Sequence, residues 1–156
     1  MRYILLALVA LLVSCKGGTP TADLSGLDLM QHGLPIKIKA PADAVVVADD
    51  MGIMKDVTVK GDDNYYVQII SGQATTTDIP AIKSEQLTEV KKGPFFDEIL
   101  LDEENGFIFR KKISEDRINH DFRYNKIQGD KEYTFQTGLM GQFSFEDVKM
   151  MYESVK

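Results

Sequence analysis

Residues Ile99 to Gln136 read ILLDEENGFIFRKKISEDRINHDFRYNKIQGDKEYTFQ, and this stretch decides the fold class. Four β-rich segments stand in it: Ile99–Leu101, Phe107–Arg110, Phe122–Lys126 and Glu132–Gln136. Asn105-Gly106 between the first two is a hairpin signal, because such dipeptides tolerate the positive φ of tight two-residue turns. Gly129-Asp130 is a weaker signal between the last two. Side chains alternate across a strand, so Phe107 and Phe109 share a face, as do Phe122 and Tyr124, and Tyr133 and Phe135. These paired aromatics supply much of the expected core.

Upstream the pattern is similar. Ile36–Lys39 and Val57–Lys60 alternate apolar and polar, as half-buried strands do. Ala44–Val47 is a short apolar strand candidate, and Asn64–Ser71 is a β-rich run entered through a Gly61-Asp62-Asp63-Asn64 turn. The connections are too short for crossover helices, so the strands should form an antiparallel meander. Between the two β runs Asp78 can cap a helix with Pro80 in its first turn. Ile79, Ile82, Leu87 and Val90 then fall within an arc of about 140°, and Gly93-Pro94 ends the helix. At the C-terminus Ser144 and Asp147 match a capping box, with Phe143 and Val148 at the staple positions. Val148, Met151, Tyr152 and Val155 follow amphipathic helical spacing. The expectation is an α+β fold, an antiparallel sheet of about eight strands in two runs covered by two helices. That outline is similar to the Mog1/PsbP-like folds, where helices cover a curved antiparallel sheet. The likeness is one of topology and implies no activity.

With 156 residues there is room for one domain, large enough to fold without a metal or disulfide. The net charge is −6, from 18 basic and 24 acidic residues. Phosphate backbones attract clustered Lys and Arg, whereas the lysines here are scattered. Arg110-Lys111-Lys112 is followed at once by Glu115 and Asp116 and reads as a solvated strand end. Nucleic acid is not expected as a partner.

The N-terminus has a different texture. Arg2 precedes Ile4–Val13, ten residues without a polar side chain, and then Ser14-Cys15. A positive start and a short apolar run mark a secretory signal peptide. Ten residues of helix rise about 15 Å, half the roughly 30 Å of a hydrocarbon core, so the segment cannot remain as a span. A lone Cys in an exported chain could be a free thiol, a cross-link or a nucleophile; directly after an apolar run, it stands at the place for acylation. Leu12-Val13-Ser14-Cys15 resembles the lipobox of bacterial lipoproteins. The resemblance implies that the Cys15 sulfur receives a diacylglyceryl group, that cleavage falls between Ser14 and Cys15, and that two or more acyl chains anchor the mature chain stably. It places the protein in the cell envelope, attached to a membrane on its periplasmic or outer-membrane side. Residues 1–14 are then the signal peptide, 15–33 the lipidated Cys and a Gly-, Ser- and Thr-bearing flexible tether, and 34–156 a single domain. Leu24, Leu27, Leu29 and Met30 could dock as a short flap.

Chemistry is harder to find. Nucleophilic catalysis needs a nucleophile, a base and an oxyanion site within reach. His120 is followed by Asp121, but neighbours on a strand point to opposite faces. His32 reads as a loop histidine, and two isolated histidines do not make a zinc site. Asp49-Asp50, Asp97-Glu98 and Asp102-Glu103-Glu104 lack the spacing of a calcium loop and read as turn carboxylates. Thr75-Thr76-Thr77 reads as a capping segment, and no cofactor is called for. Met51 and Met54, flanking Gly52-Ile53, could form a soft apolar tip for a partner. The leading expectation is a non-enzymatic, membrane-anchored lipoprotein that binds an envelope protein or aids an assembly. The alternative is a small-ligand-binding lipoprotein with a pocket between sheet and helices. A third reading is an enzyme built from scattered carboxylates.

Overall fold

The computed structural model describes residues 23–62 and 64–156; the signal peptide, the Ser14-Cys15 junction, the first part of the expected tether and Asp63 lie outside the described residues. Nine strands and two longer helices follow in the order β1 (Leu24–Asp28), β2 (Lys37–Pro41), β3 (Val45–Asp50), β4 (Met54–Lys60), β5 (Tyr66–Gln73), α1 (Ile79–Lys92), β6 (Phe96–Glu103), β7 (Gly106–Ser114), β8 (Arg117–Gln128), β9 (Lys131–Thr137) and α2 (Phe145–Val155). A single 3-10 turn, Met30–His32, lies between β1 and β2. The expected α+β class is what the chain adopts.

Seven strands make one antiparallel sheet in the order β3-β4-β5-β9-β8-β7-β6. Two meanders are joined at its centre, where β5 pairs with β9. The hairpins fall where the turn residues put them, for partly different reasons. Gly129 has φ +63° at the first position of a two-residue loop, as a type II′ turn requires. Gly106 is itself a strand residue, and its lack of a side chain is a packing requirement. A Cβ there would collide with the Arg123 carbonyl oxygen and press on the Tyr152 ring.

One face of the sheet, here the inner face, carries Val57, Val59, Val67, Ile69, Phe122, Tyr133 and Phe135, all fully buried. α2 lies on it, with Val148, Met151, Tyr152 and Val155 turned inward. The Tyr152 ring stands edge-on to Phe122 and Tyr124, at centroid distances of 5.8 and 5.6 Å. The capping box is present: the Asp147 amide donates to Ser144 Oγ at 3.2 Å and the Ser144 amide to Asp147 Oδ2 at 2.9 Å. Tyr65 ties three elements, donating to the Lys39 carbonyl at 2.7 Å and sharing a hydrogen bond with Ser154. Burial pushes its hydroxyl up to about 12.

Beside α2 the inner face is closed by β1 and β2, a two-stranded sheet with Leu24 opposite Pro41 and Asp28 opposite Lys37. Here the structure corrects the expected boundary at residue 34. Residues 24–33 form β1 and the 3-10 turn, and Leu29 is buried in the core with Leu34, Ile36 and Ile38. Over residues 24–33 the chain is the docked flap rather than the tether, because Leu24, Leu27 and Leu29 have apolar surface to bury, which outweighs the Gly and Ser between them. Among the described residues the strand count is therefore nine, against the expected eight or so.

α1 covers part of the opposite, outer face. Lys83 fastens it to β6 through Asp102 and the Glu103 carbonyl, both at 2.7 Å. Of its expected apolar stripe only Ile82 is buried, while Leu87 and Val90 are half-buried.

Candidate functional site

The outer face is mixed: Phe107 and Phe109 of β7 are buried on it, opposite Arg123 and Asp121, and polar groups fill much of the rest. Asn125, fully buried, exchanges hydrogen bonds with Gln86 of α1 at 2.8 and 2.9 Å and accepts one from Thr134. Gln68 donates to Asp56 and accepts from Gln136. Asp121 is the most charged point of this face. It accepts from its neighbour's amide at Phe122, from the Thr137 hydroxyl at 2.7 Å, from Lys111 at 3.0 Å and from Arg123 at 3.1 Å. Burial alone would raise its pKa, but Arg123, Lys111 and the Thr137 hydrogen bond outweigh burial and hold it below the ordinary value.

Between α1 and this face runs an open trench of about 480 Å³, lined by Ile82, Glu85, Gln86, Glu89, Val90, Arg123 and Glu132. Partial burial, and then the charge of Glu85, pushes the Glu132 carboxyl up. The trench lies where the alternative reading expects a pocket, and its walls set three glutamates and Arg123 beside Ile82 and Val90.

The sheet's two edges differ sharply. β6 carries Asp97, Glu98 and Asp102 and two register irregularities, at Phe96/Glu98 and at Ile99/Leu101. Bulges and charges are how an edge is blunted against further pairing. β3 pairs with β4 in unbroken register. Val45 and Val47 are 64% and 53% exposed on the outer face of this edge strand, and Met51, Ile53 and Met54 continue the apolar surface around its turn. Asp49 and Asp50 close the strand; Asp50 accepts from the Gly52 amide at 2.9 Å and meets Lys55 at 3.3 Å.

The residues singled out in the sequence do not converge. His120 is held by the Phe143 carbonyl at 3.0 Å and stacks edge-on against Phe145, while the Asp121 carboxylate is taken up by Lys111, Arg123 and Thr137. His32 sits in the 3-10 turn. Among the described residues no group of three or more His, Cys, Asp or Glu could hold a metal ion. Arg110 pairs with Asp97 and Glu98, Lys111 with Asp121, and Lys112 with Glu115, so each cation of that run meets a carboxylate. Asp97, Glu98, Asp102 and Glu103, read as turn carboxylates, are strand residues of β6. Thr76 accepts from the Asp78 amide, and Asp78 caps α1. Among the described residues no helix is long and apolar enough to cross a membrane.

Sequence reasoning found the methionine tip but missed the exposed edge it belongs to. Val45-Val46-Val47 is a continuous apolar run, which reads as a strand buried on both faces. Only the strand order shows it at the border of the sheet. Compared with known proteins, the chain matches no family model, no curated protein and no solved structure. The residues themselves therefore carry the functional reading.

Proposed function

We propose that the protein is a lipid-anchored envelope module that recognises a partner protein by accepting an extended segment of it along β3. The anchor is the lipobox-like Leu12-Val13-Ser14-Cys15. The observation that carries the binding reading is the unbulged outer edge of β3 with Val45 and Val47 exposed beside it. A strand added there gains backbone hydrogen bonds along its length, and its side chains provide the selectivity. Asp49 lies opposite Asp56, with Asp50 beside it. The fitting partner segment is thus apolar where it meets Val45 and Val47 and basic where it passes Asp49.

The test compares the native chain with a Val45→Lys, Val47→Lys double variant in capture from detergent-solubilised membranes. Lysine on an edge blunts pairing and, at exposed sites, changes stability by no more than about 0.5 kcal/mol each. A protein captured by the native chain and lost with the variant supports the reading. Equal capture by both sinks it, as does a native chain that only pairs with itself in a size measurement.

The second reading is a small-ligand protein, favoured by the trench under α1. Its glutamates suit a ligand bearing positive charge, and Glu132→Gln would weaken such a ligand while leaving the β3 edge intact.

A further inference from the structure

The β3 edge leaves another exposed apolar feature unexplained. Leu139 and Met140, in the loop between β9 and α2, are 83% and 80% exposed. The loop that presents them is fixed on both sides. The Gly138 amide donates to the Tyr66 carbonyl at 2.8 Å, Asn119 donates to the Gly141 carbonyl at 3.1 Å, and the Phe143 amide donates to Asn119 at 2.8 Å. Gly138 also lies flat against the Tyr66 ring, where a Cβ would not fit. Two apolar side chains are thus held out toward water by a braced backbone.

Their position relative to the start of the domain gives them a meaning. Leu24 pairs with Pro41, Pro41 lies against Gly61, and the Gly61 amide donates to the Tyr65 carbonyl at 2.9 Å. Tyr66, next in the chain, holds Gly138. The chain therefore enters the fold at the same end of the sheet that presents Leu139 and Met140. The β3–β4 tip, with Ile53, lies at the opposite end, since Val45 pairs with Lys60 and Asp50 with Lys55. Cys15 to Ala22 is eight residues, which extend to at most about 28 Å.

We infer that Leu139 and Met140 form a second membrane contact, dipping into the lipid surface to which Cys15 is anchored and fixing the domain's orientation. The inference rests on the anchored reading above. A two-residue apolar contact is weak alone, but a short tether turns its association into an intramolecular step at high effective concentration. Asp43, Asp62 and the Glu115-Asp116 turn lie at this end with Lys60, Lys112 and Arg117, so its charge is mixed and suits zwitterionic head groups. With this end on the membrane, the β3–β4 tip points away from it.

The chain has no Trp, so Leu139→Trp introduces a single reporter at an exposed site. In phosphatidylcholine vesicles with brominated acyl chains, the lipidated variant is expected to show quenched, blue-shifted emission. Ile53→Trp should remain unquenched, and adding Met140→Asp to Leu139→Trp should remove most of the quenching. Equal, water-like emission from Leu139→Trp and Ile53→Trp overturns the inference, as does protection of Leu139→Trp by a captured protein without bromine quenching. Mass spectrometry of the same sample separates the two levels. Lipid on Cys15 with a water-exposed reporter sinks the contact alone. A bare Cys15 sinks the anchor reading, and the contact is then decided by coupling the Cys15 thiol to a maleimide-headgroup lipid and repeating the quenching.

Discussion

Under α2 the sheet buries Phe122, Tyr133 and Phe135 against Met151 and Tyr152, while its opposite face sets Asp121, Asn125, Gln68 and Thr134 beside Phe107 and Phe109. Both faces shed water, by different means. The inner face does so through apolar area and close packing, which are tolerant of direction and depend on volume. The outer face adds to Phe107 and Phe109 a set of hydrogen bonds that each need one partner at one distance. A buried polar group is nearly neutral when satisfied and costly when its partner is removed. The inner face should therefore supply most of the stability, and the outer face most of α1's positional precision.

The largest expected effect lies inside. Phe135→Ala should cost about 3–5 kcal/mol, read as a shift of the denaturant midpoint. Leu87→Ala, on the half-buried side of α1, should cost well under half of that; equal losses would erase the distinction between the faces. Next comes Asp121→Ala. Removing one member of a buried ion pair typically costs about 3–5 kcal/mol, but Lys111 and Arg123 keep some access to water, so about 2–3 kcal/mol is expected. Because its folded pKa lies below the unfolded value, this stabilisation is present above about pH 4 and is lost as pH falls through the folded value. The wild type should therefore weaken with acid more steeply than Asp121→Asn, and parallel profiles would show that the carboxylate contributes no charge interaction.

Smaller again is the link between α1 and the sheet. Gln86→Ala should cost about 1–2 kcal/mol by leaving Asn125 short of partners. Paired with Asn125→Ala, it should show a coupling of at least about 0.5 kcal/mol in a double-mutant cycle; strict additivity would mean that α1 is placed by its apolar residues after all. The smallest effect has the opposite pH sign to Asp121. Glu132 has a raised folded pKa, so its favourable contribution is present at low pH and lost as pH rises through that folded value. Glu132→Gln should raise the thermal midpoint slightly at neutral pH and leave it unchanged in acid. A lower midpoint at neutral pH would show that the Glu132 charge has a stabilising partner.

The contrast also explains what could be read from the chain. Val148, Met151, Tyr152 and Val155 belong to the inner face, where helical spacing reports burial directly, and their helix lies where that spacing puts it. The aromatic pairs of β7, β8 and β9 were legible through period-two alternation, those of β8 and β9 on the inner face and Phe107 and Phe109 of β7 on the outer one. The polar residues of the outer face carry no such signal. Asn125, Gln86 and Gln68 look like surface residues in sequence; the pairing of β8 with β9 and the seating of α1 join the first two, and the pairing of β5 with β4 and β9 gives Gln68 its partners Asp56 and Gln136. Asp97, Glu98 and Asp102 resemble turn residues because acidic side chains are rare in strands, yet they protect an edge. β1 was legible as a flap of docking leucines but not as a strand, because Gly26 among them has low strand propensity. The exposed valines of β3 were the hardest case, since no local pattern distinguishes an edge strand from a central one.

The first hairpin has a mechanical consequence. β1 joins β2 with its open end at Leu24 and Pro41, and β2 continues directly into the main sheet. A pull on the residues preceding Leu24 therefore loads the pairs one after another, as in opening a zip, rather than all together in shear. Resistance rises only where the peeled strand reaches Leu29 in the core. The domain can thus yield several residues of slack under tension before its main core is strained.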